Sequence, residues 1–271
     1  MITKKQIGKR VLYGLVPFGM LFLYMLGAWL FGQFMATSVQ AQFMDNLVVI
    51  GIGCWWILLQ QQRRKHSLKE QVPFCPKVWA VFLFIVLCVI VAIFFPIMGQ
   101  YVSLHITDVG KEVYQTTISE DYGLYLIMSV LIAPFAEEFL FRVFMYHSWK
   151  KAFRFPVVAM LLTSAAFAMI HGTFQHLPVA FFLGMFMSIM YEMTGQMRYC
   201  VIIHFIFNLL GIAVVPGIVW NPEGFFLSGF GVLLFMFIIS VGLFGLYYYR
   251  KQICAYVTTD HLIDKWNRKE E

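Results

Sequence analysis

The sequence predicts an all-α protein, a polytopic membrane helix bundle of about eight transmembrane helices forming a single membrane domain over residues 1–271. Three observations predict it. First, 61% of the residues are hydrophobic and 13% charged, whereas soluble domains average about 45–50% apolar and about 25% charged. Second, the apolar residues gather in eight runs, most of them near the roughly 20 residues that a helix needs to cross about 30 Å of hydrocarbon. Third, the basic residues are sorted into alternate loops, as the insertion of a multi-span chain favours.

The first run, about 11–34, follows Lys4, Lys5, Lys9 and Arg10. It is too long for a signal-peptide core and lacks a small-residue cleavage site, so it is expected to stay as the first span. The others are about 44–60, 78–99, 123–148, 156–172, 177–195, 199–216 and 225–249, with the second, fifth and seventh short. With the N-terminus inside, the cytoplasmic segments hold 18 of the 20 basic residues. Only Lys111 falls outside, and Arg142 falls within a span. One span more or fewer would scramble that sorting, so the expectation is N-in and C-in. The outer loop Gln100–Tyr122 is acidic instead, through Asp108, Glu112, Glu120 and Asp121. The net charge of +6 therefore follows from topology and gives no reason to expect nucleic acid. The C-terminal stretch 250–271 reads as a solvated cytoplasmic tail.

The five cysteines, Cys54, Cys75, Cys88, Cys200 and Cys254, are isolated, and no C-x-x-C pair reads as a metal or redox site. They are expected to be small membrane and interface residues. No cofactor box is visible, and neither a cofactor nor a metal is expected.

Chemistry concentrates in three runs. The fourth carries Glu137, Glu138 and Arg142, three ionisable groups that each cost roughly 2.5–3.5 kcal/mol at membrane depth. Glu138 and Arg142 are four apart, acid before base, and so share a helix face as an ion pair. Glu137 points about 100° away and is left to face a cavity, where burial and nearby cations can poise a general base. The fifth run aligns Ser164, Phe167 and His171 on one stripe, and the seventh stacks His204 and Asn208 one turn apart. Lipid offers such groups no partners, so they must meet others inside the bundle. They read either as interhelical glue or as donors to a developing oxyanion. His66, His105, His147, His176 and His261 fall in loops or at span ends and are weaker candidates. Glu192 is expected to snorkel or to pair with Arg198.

Taken in order, Glu-Glu-x-x-x-Arg at Glu137, Glu138 and Arg142, Phe-x-x-x-His at Phe167 and His171, and His-x-x-x-Asn at His204 and Asn208 form a set. It resembles the CAAX protease and bacteriocin-processing (CPBP, Abi) family of glutamate intramembrane endopeptidases. Ala133-Pro134 before the glutamates and the stretch from Gly184 through Tyr191 to Thr194-Gly195 match its texture too. The resemblance covers about residues 125–212, a protease core. It implies that Glu137 activates water with help from His171, that His204 and Asn208 stabilise the oxyanion, and that Glu138 and Arg142 shape the site, with no acyl-enzyme. It implies a peptide or membrane-protein substrate and a place in the lipid bilayer, as a multi-pass protein of the bacterial cell membrane.

Three rival readings remain at this point. Two histidines and a glutamate can hold zinc as a membrane metalloprotease, although no His-Glu-x-x-His spacing occurs. A non-catalytic regulator or immunity protein would use the same residues to bind a membrane partner. A transporter or proton channel would use the carboxylates alone. Span counting also places Glu137 and His204 in the cytoplasmic half and His171 nearer the outer face. Joint action then requires that the fifth span be offset or tilted, around a polar cavity expected to open towards the cytoplasm.

Overall fold

A backbone in hydrocarbon must satisfy its own polar groups, and this chain does so by helix. The computed structural model describes residues 4–64, 77, 79, 122–171, 177–209 and 241–257, and no strand occurs among them. Its helices are α1 (Lys4–Gly32), α2 (Ser38–Arg64), α3 (Gly123–Phe153), α4 (Pro156–Ile170), α5 (Leu177–Thr194) and α6 (Met197–Asn208). Residues 241–248 are helical and lead into α7 (Arg250–Val257). The protein is thus an all-α polytopic membrane bundle. Among the described residues, four helices are long and apolar enough to cross a membrane: Gln6–Gly32, Ser38–Leu59, Gly123–Phe153 and Leu177–Thr194. The expected third span at 78–99 apart from Trp79, most of the acidic outer loop, the end of the seventh run and the first part of the eighth lie outside the described residues. So do Cys75, Cys88, His66, His105, His176, His261 and the tail beyond Val257.

The connections explain the antiparallel order. Arg154 ends α3 in the left-handed region at φ 63°, and Pro156 starts α4, where its missing N–H costs nothing. Between α5 and α6 the reversal falls on Gly195 at φ 65°, a conformation that a side chain would strain. The Trp149 indole donates to the Gly14 carbonyl at 3.2 Å, and the Lys151 ammonium sits over the Tyr13 ring at 5.3 Å. These contacts bring the start of α1 and the end of α3 to the same end of the bundle. Lys150 binds Glu192 of α5 at 2.6 Å, so the α5–α6 turn with Arg198 joins them there. Among the described residues, Lys9, Arg10, Lys150, Lys151, Arg154 and Arg198 therefore gather at one end, in keeping with the positive-inside pattern.

The buried core lies where α3, α4, α5 and α6 meet, around Phe141, Met145, Met160, Phe167, Met187 and Ile203. α1 and α2 flank it, and their outer faces carry exposed Phe18, Phe22, Trp29 and Trp55, as lipid-facing surfaces should. Two helices approach closely at Gly184 of α5, where an added Cβ would stand 3.1 Å from both Cα and Cβ of Ser164 on α4. Small residues at such crossings let membrane helices pack by van der Waals contact. Gly184→Val is expected to force the pair apart and cost about 1–3 kcal/mol, seen as a lower unfolding temperature in detergent. Gly19→Val on α1, where no heavy atom stands within 4 Å of the added Cβ, is the control and should change little.

Candidate active site

The site is carried by α3, α4 and α6. α3 is not a uniform helix: Met128–Ile132 and Phe139–Tyr146 are π-helical, flanking the α-helical stretch Ala133–Glu138 that presents both glutamates. Such wide turns recur at functional sites because they re-aim side chains. Glu138 and Arg142 are fully buried, with Arg142 Nε 2.8 Å from Glu138 Oε2. Arg142 Nη1 also donates to Ser188 Oγ of α5 at 3.2 Å, and the guanidinium lies 5.5 Å from the Phe167 ring centroid.

His204 of α6 is 2% exposed and turns Nδ1 to Glu138 Oε1 at 3.1 Å. A carboxylate only accepts, so Nδ1 carries a proton. Its Nε2 is 3.7 Å from Glu137 Oε2, too far for a hydrogen bond but facing the same space. Glu137 is buried, and its Oε2 has no hydrogen-bond partner in the protein. The two neighbouring carboxylates thus differ in kind: both oxygens of Glu138 are engaged, and Glu137 has a buried oxygen without a partner.

His171 closes α4. Its Nδ1 lies 2.7 Å from the Phe167 carbonyl, which can only accept, so this nitrogen carries a proton, and in the neutral ring Nε2 is then the acceptor. The Phe167 ring stands between the two imidazoles, with centroid distances of 4.6 Å to His171 and 5.6 Å to His204. The depth conflict posed by the sequence is resolved by length. α4 has 15 residues and rises about 22 Å from the basic end, short of the hydrocarbon thickness, so His171 stops inside the bundle. Glu137 lies a similar distance from Phe153 along α3, which puts both at matching depth.

Asn208 stands one turn beyond His204, and its Nδ2 donates to the Ser129 carbonyl of α3 at 2.8 Å. The structure therefore links Glu137, Glu138, Arg142 and His204 through their charged and polar atoms, sets Phe167 against Arg142, His171 and His204, and ties Asn208 to the α3 backbone. Among the described residues no three of His, Cys, Asp and Glu are grouped to hold a metal ion. Glu192 departs from expectation: it takes Lys150 and the Tyr146 hydroxyl as partners, while Arg198 Nη2 lies 3.2 Å from the Tyr199 hydroxyl. Cys200 is buried with its thiol donating to the Met187 carbonyl, a packing role, and Cys54 is exposed on α2.

The sequence reading missed a second buried polar group, Asp45 and Asn46 on α2. Tyr24 of α1 donates to Asn46 Oδ1 at 3.1 Å, Asn46 Nδ2 reaches Met128 Sδ at 3.6 Å, and Asp45 Oδ2 has no protein partner. The available signal was an acidic residue at the edge of an apolar run, a position read there as a helix end.

The site is a buried acid–base cluster at the crossing of membrane helices, and a likeness to a known family falls on the same stretch of chain. The family model described as Type II CAAX prenyl endopeptidase Rce1-like matches residues 120–210. The membrane-embedded CAAX protease MroQ of Staphylococcus aureus (strain USA300) is 27% identical over 139 residues, covering 47% of this chain. That match spans 55% of MroQ, so the likeness extends over about half of the relative. No solved structure matches. Through residues 120–210 this chain is therefore similar to CAAX proteases of membranes.

Proposed function

We propose that this protein is a multi-pass endopeptidase of the bacterial cell membrane, hydrolysing a peptide bond of a membrane-associated peptide or protein by a glutamate-activated water. The observation that carries this reading is the buried, unpartnered oxygen of Glu137 inside the bundle, beside a second carboxylate already engaged by Arg142 and His204. A bacterial setting is supported by the staphylococcal relative.

Glu137 Oε2 accepts one proton of the water, and His171 Nε2, held in the accepting tautomer, takes a hydrogen bond from the other. The water oxygen attacks the scissile carbonyl carbon. Negative charge then grows on the carbonyl oxygen. A proton on His204 Nε2 faces that charge, and Glu138 stabilises the resulting imidazolium through Nδ1. The Asn208 N–H not bound to Ser129 is the second donor. Glu137 returns its proton to the leaving nitrogen as the C–N bond breaks, giving a free carboxyl and a free amine. Charge balance favours this division: two carboxylates and one guanidinium leave one negative charge, which a protonated His204 offsets. Residues 125–212 hold every group used here.

The test is to profile new peptide termini in membranes of cells expressing wild type, His171→Ala or His204→Ala at matched abundance. Products present only with wild type, and insensitive to chelator, support the reading. Products unchanged in both variants would make the chain a membrane partner protein. Loss with chelator and return with zinc would move the chemistry to a metal.

A further inference from the structure

The main-chain bonding of α3 changes register just before the glutamates. In the π-helical stretch Met128–Ile132 the Ala133 N–H bonds to the Met128 carbonyl, bypassing that of Ser129. Pro134 follows. It has no N–H, and in regular α geometry its ring would strike the carbonyl four residues back, at Val130. Widening the turn relieves that clash, which accounts for the π stretch at this place. The consequence falls on Ser129, whose carbonyl receives neither the Ala133 amide nor an amide from Pro134. An orphaned carbonyl at membrane depth is costly. Asn208 supplies the missing donor at 2.8 Å. On the same face of α6, one turn earlier, His204 holds Glu138. α6 therefore grips α3 at Ser129, before the stretch Ala133–Glu138 that presents Glu137, and at Glu138, its last residue.

We propose that Pro134 and Asn208 are a matched pair of positioning residues: the proline opens the turn, and the asparagine closes it from α6, fixing where Glu137 points. This rests on Glu137 being the base. It adds to Asn208 a main-chain anchoring role separate from any contact with the oxyanion.

The test is a double-mutant cycle on the full chain in lipid nanodiscs, with wild type, Asn208→Ala, Pro134→Ala and the double variant. Each is read for unfolding temperature and for cleavage of a synthetic peptide spanning the bond found by termini profiling, at limiting and saturating concentration. Pro134→Ala restores an amide. Ser129 is then served by the Ala133 N–H if the turn tightens to α, or by the new amide if it stays π. Asn208→Ala in the native background should lower the unfolding temperature and cut kcat about tenfold or more, since a misplaced base loses rate while KM changes little. In the Pro134→Ala background the loss of unfolding temperature on removing Asn208 should be at most half as large. Equal losses in both backgrounds overturn the pairing, as does a kcat loss without any change in unfolding temperature, which an oxyanion donor alone would give. If Asn208→Ala does not accumulate, Asn208→Ser makes the same comparison with a smaller truncation. Glu137→Gln, run alongside, reports on the base itself. Wild-type cleavage there sinks the catalytic reading, while the unfolding temperatures still decide the pairing.

Discussion

Glu137→Gln is expected to reduce cleavage by about 10²- to 10⁴-fold while leaving the folded protein as abundant and as heat-stable as wild type. The rate loss follows from chemistry: a carboxamide has nearly the shape of a carboxylate but cannot take a proton from water. The lack of a stability loss follows from geometry. Glu137 Oε2 has no hydrogen-bond partner in the protein, and its nearest cationic group, His204 Nε2, lies 3.7 Å away. Replacing it removes a charge at membrane depth without orphaning a neighbour, so stability should hold or rise. If the glutamates only glued helices together, the opposite pattern would appear, with stability lost and cleavage scaling with folded protein. Termini profiling together with thermal unfolding of the same membranes separates the two. Full cleavage by a stable Glu137→Gln variant would remove Glu137 from the mechanism.

What the sequence disclosed and what it withheld divide along physical lines. Composition and loop charge specify a membrane bundle because bilayer thickness and the positive-inside rule act on the chain directly. The Glu138–Arg142 pair was readable because helical spacing alone puts acid and base on one face. The π turns were not, because they depend on how the ring of Pro134 and a donor from another helix share one stretch of backbone. The depth of His171 turned on α4 stopping at Ile170, and a helix end at that precision is beyond an apolar run. Glu192 found Lys150 instead of Arg198 because the partner comes from another helix, and sequence distance says nothing of which helices touch. Asp45 was passed over for a similar reason. At the edge of a run it reads as solvated, yet it is buried against Gly27 of α1.

The largest effect on stability should come from Arg142. Arg142→Met keeps much of the volume but leaves Glu138, fully buried, without its guanidinium. Removing one partner of a buried pair costs about 3–5 kcal/mol, because the remaining charge has no water to turn to. Here His204 offers a partial remedy through Nδ1, so the loss should sit towards the lower end of that range. Arg142→Lys should fall between. It keeps the charge, but a single ammonium cannot reproduce the fork that serves Glu138 at 2.8 Å and Ser188 at 3.2 Å together. The informative variant is the double one, Glu138→Gln with Arg142→Met. It takes away both charges, so much of the stability should return. Cleavage should not return, since His204 would lose the carboxylate that balances its imidazolium. Thermal unfolding of the purified chain and cleavage in the same nanodiscs would show the split. If cleavage recovered with stability, the pair would be a structural brace alone. If stability stayed low in the double variant, the cost would lie in packing around Phe167 and Ser188, where the guanidinium also makes contact, instead of in an unpaired charge.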